Sequence, residues 1–198
     1  ESKNGEEKPT ETKKESKNNS VKPTPGYLEG STYVNEFLGF SIEIPENWNI
    51  QGEKQMEALT EAGSEMIAGD DENTKKALET ADKVNGLFKL AAFRYPLGTP
   101  GKPNHNLMAI GENMTNYPGI KDGKDYTENI KMLLNNSKME VEIKDVEPIE
   151  LDGKKFYGIK TEMKMNGIDV NQKYYATLIK EYALGITITY FDEDSQKE

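Results

Sequence analysis

The chain has 198 residues, one His, no Cys, and 35 Asp+Glu against 25 Lys+Arg, a formal net charge of −10. That length suits one domain with or without a tail. The acidity disfavours nucleic acid and polybasic attachment to anionic lipid, while the missing Cys removes disulfides, thiolate nucleophiles and Cys-bound zinc.

Residues 1–25 read ESKNGEEKPTETKKESKNNSVKPTP, with Val21 the only aliphatic side chain. Such a segment cannot bury enough apolar surface to offset a backbone ordering cost of roughly 1–2 kcal/mol per residue. The composition predicts a disordered tether over residues 1–28 and a single domain over 29–198. The first 25 residues carry a net charge of +1 and the remainder −11, so the acidity belongs to the domain. Lys/Glu/Ser/Asn/Thr-rich spacers of this kind resemble the segment behind the lipidated Cys of lipoproteins from Gram-positive bacteria. The resemblance implies a signal peptide and an anchoring Cys before Glu1. A trimmed cytosolic N-terminus is the alternative. A spacer of this length reaches about 25–30 Å, enough to lift a domain off a membrane.

Beyond the tether, residues 39–45 (GFSIEIP) alternate apolar and polar side chains and stop at Pro, which predicts a strand with Phe40, Ile42 and Ile44 buried. Residues 32–34 make a short antiparallel partner, and Trp48 plugs the end of the core. Over residues 53–84 the period becomes helical, with Met56, Leu59, Ala62 and Met66 on one face and Ala77, Leu78, Ala81 and Val84 on another. Gly69-Asp70-Asp71 marks a break between two helices, or within one. Residues 87–95 predict a central strand, 96–106 a long Pro/Gly loop carrying His105 exposed, and 107–114 a further strand.

Asp125-Tyr126-Thr127-Glu128 has the form of a capping box, with Ile130, Leu133 and Leu134 on one helical face behind it. The C-terminal third predicts a meander. Val141 and Ile143 lead in, and residues 156–165 alternate. Asn166-Gly167 then supplies a type I′ turn, residues 168–178 return, and 184–190 make a further strand. Asp192-Glu193-Asp194-Ser195 looks like the start of a helix. The predicted fold class is α+β, a mostly antiparallel sheet with helices packed on its faces.

The stretch Gly39-Phe40-Ser41-Ile42-Glu43-Ile44-Pro45-Glu46-Asn47-Trp48, followed by helix and strand pairs and a terminal meander, resembles the PsbP/Mog1-like group. The resemblance implies an α/β/α sandwich and a non-catalytic binding or assembly role. The long helical stretch at 52–84 departs from the group's pattern. Metal ligands proposed for photosynthetic members have no counterpart here, because His105 is the only His.

Recognised catalytic patterns are scarce. There is no G-x-S-x-G, P-loop or G-x-G-x-x-G in the sequence. Asp70, Asp71 and Glu72 are the best hard-cation ligands, since Ca²⁺ takes convergent oxygens, but they lack EF-hand spacing and are equally explained by helix capping. Among the tyrosines, Tyr157, Tyr175 and Tyr182 are candidates for a ligand-binding face on a partly open sheet. Alternation puts Tyr174 and Tyr190 in the buried set and Tyr175 on the other face. Cross-strand packing is the structural alternative for all of them.

No cofactor is expected. The functional expectation is a monomeric, extracytoplasmic, lipid-anchored binding or assembly domain with a protein or small-molecule ligand, partnered with membrane only through its anchor. The alternatives are a cell-envelope hydrolase using two carboxylates in a cleft beside the 96–106 loop, or an intracellular adaptor of Mog1 type.

Overall fold

The computed structural model describes residues 22–191. The tether residues 1–21 and the expected helix at Asp192–Ser195 lie outside them. The order is β1 (Tyr27–Glu29), β2 (Thr32–Asn35), β3 (Phe40–Glu43), β4 (Asn49–Ile50), α1 (Glu53–Ala68), α2 (Glu72–Asn85), β5 (Gly86–Phe93), β6 (Asn106–Asn113), α3 (Gly123–Asn136), β7 (Val141–Ile143), β8 (Glu147–Leu151), β9 (Lys154–Met165), β10 (Ile168–Ile179) and β11 (Tyr182–Tyr190). The expected α+β class is what forms. The larger sheet runs β4-β5-β6-β11-β10-β9-β7, with β8 also on β9, and β1-β2-β3 make a separate small sheet. Every pairing is antiparallel.

The two faces of the large sheet are covered differently. On one, Met56 of α1 packs on Ala91 and Phe93, and Tyr126 of α3 packs on Ala176 and Ala183. On the other, the small sheet and its following loop bring Tyr33, Phe37, Leu38 and Ile44 down onto Phe88, Leu90, Ala109 and Leu184. Rings knit that layer together, with Tyr33 and Phe88 centroids 5.2 Å apart and Phe37 edge-on to Tyr182 at 5.2 Å. The layers are therefore helices, large sheet, small sheet. The implied outer helical layer is replaced by β1–β3, whose Gly39-to-Pro45 stretch is the strand the alternation predicted.

The expected tether boundary at residue 28 moves towards the N-terminus. Tyr27–Glu29 pair with β2, the Tyr33 hydroxyl donates to the Pro25 carbonyl, and the Asn35 amide donates to the Thr24 carbonyl at 3.2 Å. Asn35 is fully buried and also accepts from the Leu38 N–H at 2.9 Å. A buried amide needs such partners, and here they clamp residues 24 and 25 to the body.

Helix ends follow capping chemistry. The Asp71 carboxylate accepts from the N–H groups of Asn73 and Thr74, opening α2 after the break at Gly69. For α3 the cap is Asp122 rather than Asp125. Asp122 accepts from Lys124 and Asp125 N–H, and Asp125 reaches back to Lys121 N–H at 2.9 Å. In the helices the expected faces form only in part, Met56 being buried with Leu59 packed beside it. Met56 and Ser64 point inward while Ala62 and Met66 are exposed, and Val84 on α2 is 67% exposed. The meander forms with its turn at Asn166 (φ 52°) and Gly167 (φ 80°), the positive angles a type I′ turn requires. A second tight turn at Asp152-Gly153 joins β8 to β9, with φ 47° and 70°. Among the described residues no helix is long and apolar enough to cross a membrane.

Candidate functional site

The three tyrosine candidates do not share a surface. Tyr182, expected on a ligand-binding face, is instead a packing residue buried against Phe37 in the core beneath the small sheet. Tyr157 sits opposite Ala176 on the helix-covered face, with the Lys155 ammonium 4.8 Å from its ring centroid. Tyr175 lies on the other face. Nor does Tyr175 oppose Tyr190 as alternation suggested: their registers place both on the small-sheet side, and Tyr174 is the one turned to the helices.

Tyr175 borders an open groove of about 540 Å³ where the small sheet stops covering the large one, lined among others by Lys144, Pro148, Ile149, Gly158, Lys160 and Lys173. Gly158 is opposite Tyr175 in the ladder, and a Cβ there would come within 3.0 Å of the Tyr175 ring. The missing side chain is what lets that ring settle over β9. Burial raises the Tyr175 phenol above its usual value, helped by Tyr190. Glu147 and Asp145 complete the rim. Asp145 is engaged from outside by Lys131 at 2.9 Å, which holds its carboxyl below the ordinary range.

Registers then align charged side chains across the groove floor. Lys160 is opposite Lys173. The β7 register continues by one residue, where the Lys144 N–H donates to the Lys160 carbonyl at 2.9 Å. Lys144, Lys160 and Lys173 thus form one row over three adjacent strands. The neighbouring row reads Glu142, Glu162, Asn171. Lys144 pairs with Glu142, and Lys160 with Glu162 at 3.0 Å. Asn171 gives Lys173 no counter-charge, and among the described residues no carboxylate lies within ion-pair distance of it. The Lys173 ammonium sits 5.7 Å from the centroid of the Tyr190 ring, and burial, then Lys160, pushes its pKa down. Sequence reasoning missed this row. Its signal is a register relation that no local window contains.

A second concavity of about 420 Å³ lies between α1 and α2, lined by Glu57, Thr60, Glu61, Glu79, Asp82, Lys83 and Lys89. Lys89 donates to Asp82 at 2.5 Å and to the Thr60 hydroxyl at 3.0 Å. On β6, Glu112 accepts from the Tyr126 hydroxyl, and its carboxyl is held above the ordinary range by burial first and by the charge of Asp82. Burial and Glu112 together drive the Tyr126 phenol well upward. Asp82 and Glu112 each already have a close donor, which suits a structural network.

The cation candidates are dispersed into other work. Asp71 caps α2 and accepts the Thr74 hydroxyl at 2.8 Å, and these hydrogen bonds lower its pKa. Asp70 pairs with Lys138 at 3.1 Å, and Glu72 lies exposed in the first turn of α2. Among the described residues no three His, Asp or Glu side chains gather as a metal site. His105, expected exposed in its loop, is instead buried, its ring edge-on to Phe191 at 5.2 Å. The cause is the Asn104 side chain, which bonds both the N–H and the carbonyl of Tyr95 and draws the loop end onto the sheet.

No family model matches the sequence, and no curated protein does. Among solved structures the chain is similar to a protein of unknown function, PA94, from Pseudomonas aeruginosa. That likeness has 12% identity and a TM-score of 0.38, and covers 55% of this chain and 72% of that one.

Proposed function

We propose that this chain is an extracytoplasmic, lipid-anchored, non-catalytic binding domain, and that it binds through the Tyr175 groove. The observation that carries the binding role is that groove: an open, ligand-sized hollow with one aromatic wall and a charged floor, left uncovered beside an otherwise packed sheet. The polar, charge-balanced residues 1–25 support the anchored address. Two experiments test the two halves. Small aromatic fragments added to the ¹⁵N-labelled protein are expected to shift the Gly158 and Tyr175 amides saturably. Fragments that shift neither amide at millimolar concentration overturn the binding site. For the address, the product of the native gene is expected to incorporate labelled palmitate, and an unlabelled product overturns it.

One observation favours a second reading, a carboxylate-dependent hydrolase. Glu112 is held protonated more strongly than usual and feels the charge of Asp82. Against it stand the Tyr126 and Lys89 hydrogen bonds that already occupy these carboxylates. Glycosidase activity lost in Glu112→Gln supports the second reading. An unchanged rate in that variant removes it.

A further inference from the structure

We propose that the ligand of the Tyr175 groove is a small organic anion, a carboxylate or phosphate on a planar apolar body, whose charged end sits on Lys173 and Lys160. This deepens the binding reading above and rests on it.

The argument starts from a cost. Like charges directly opposite on neighbouring strands repel, and the sheet places Lys160 against Lys173 and Lys144 beyond it. In a chain of net charge −10, with carboxylates in excess, three in-register lysines are not a general feature of the surface. The adjacent row answers them with only two carboxylates, Glu142 and Glu162, and ends in neutral Asn171. Both carboxylates are committed to Lys144 and Lys160.

Within these two rows one positive charge, the partly buried Lys173, is left without an ion-pair partner among the described residues; the rim carboxylates Glu147, opposite Gly158, and Asp145 lie beyond ion-pair distance of it. Lys173 is half-shielded from water, lies beside the buried Tyr190 ring, and is pressed towards its neutral form by burial and by Lys160. An anion placed between Lys160 and Lys173 relieves both the repulsion and the missing counter-charge. Next to this row, Gly158 and Tyr175 provide a flat surface, with Pro148 and Ile149 as the wall. The groove volume of about 540 Å³ fits a small molecule with one charged and one apolar end. An ammonium ligand would meet the lysine row and could pair only with the rim carboxylates Asp145 and Glu147. A bare inorganic anion leaves the aromatic surface unused.

The test titrates the whole chain with benzoate, phenyl phosphate, inorganic phosphate, benzyl alcohol and benzyltrimethylammonium, following the Gly158, Lys173 and Tyr175 amides and heat of binding. Benzoate and phenyl phosphate are expected to saturate the groove, at least about tenfold tighter than the other three probes. The stronger of the two names the charged group. Lys173→Gln is expected to weaken them by at least about tenfold, Lys173→Arg to stay within about threefold of the parent, and Lys102→Gln on the remote loop to change nothing. Lys173→Gln relieves a repulsion, so its melting temperature is expected to equal or exceed the parent's, which separates lost binding from lost fold.

Three outcomes overturn the assignment. In the first, benzyl alcohol or the quaternary ammonium saturates the groove as well as the anions do. That leaves the binding surface standing and removes only the anion. In the second, Lys173→Gln binds the anions like the parent, with the same consequence. In the third, no probe shifts the groove amides, and then the binding surface itself falls together with the ligand class.

Discussion

A single buried carboxyl shows how one residue ties elements together at a cost. Glu112 on β6 accepts from Tyr126 on α3, and burial raises its pKa above the ordinary carboxylate value. A group with a higher pKa folded than unfolded keeps its proton longer in the native state. Its contribution to stability therefore falls as pH rises through the window above the ordinary value, and the cost persists at neutral pH. Glu112→Gln keeps an acceptor for the Tyr126 hydroxyl without the buried charge. It is expected to be neutral or to stabilise by about 1 kcal/mol at pH 7, and to flatten the decline between acid and neutral pH. Tyr126→Phe instead strands the carboxylate without its donor and is expected to cost about 1–3 kcal/mol at pH 7. Urea unfolding of both variants across pH checks the pair. If both variants lose the same stability, Glu112 behaves as an ordinary packing residue and the electrostatic account fails.

At the scale of elements, Phe88 is the joint between the two sheets. It touches Tyr33 and Phe40 of the small sheet, with centroids 5.2 and 5.8 Å away, and lies across Gly111 on its own. A Cβ at Gly111 would come within 2.3 Å of that ring. Gly111→Ala should displace Phe88 and cost about 1–3 kcal/mol by overpacking, while Phe88→Ala should cost about 3–5 kcal/mol by opening a cavity beneath β2 and β3. Thermal melts rank the two, and near-silent substitutions would show that the small sheet is not held through this ring. The same elements show what a local reading can see. Gly39 to Pro45, the Asn166-Gly167 turn and the alternation of β9 to β11 were legible because each signal is complete within a dozen residues. The faces of α1 and α2 were legible only in part, as at Met56 and Leu59, since Met and Ala are tolerated on either side and tertiary contacts decide. The small sheet as an outer layer, the packing of His105 against Phe191 and the Lys144–Lys160–Lys173 row were hidden for one shared reason. Each depends on pairings between segments far apart in the chain, where a shift of one residue would turn every side chain to the other face.

For the molecule as a whole, two electrostatic scales oppose each other, and salt separates them. Residues 26–191 carry a net charge of −8, so their folded form holds like charges closer together than the unfolded chain does. Screening weakens that repulsion, and most ion pairs here involve exposed partners, such as Asp70, Asp145 and Asp169, that add little stability to lose. Raising NaCl from about 20 to about 300 mM is therefore expected to raise the melting temperature by a few degrees. The groove has the opposite local sign at Lys173, and an anion held there loses attraction as the same salt is added. Benzoate affinity is expected to fall several-fold over the range in which the fold gains stability. One salt series, read once by calorimetry without ligand and once by titration, thus yields two slopes of opposite sign. A melting temperature that falls with salt would mean that the ion pairs outweigh the global repulsion. Benzoate affinity that ignores salt would mean that the aromatic surface, and not the lysine row, is what holds the ligand.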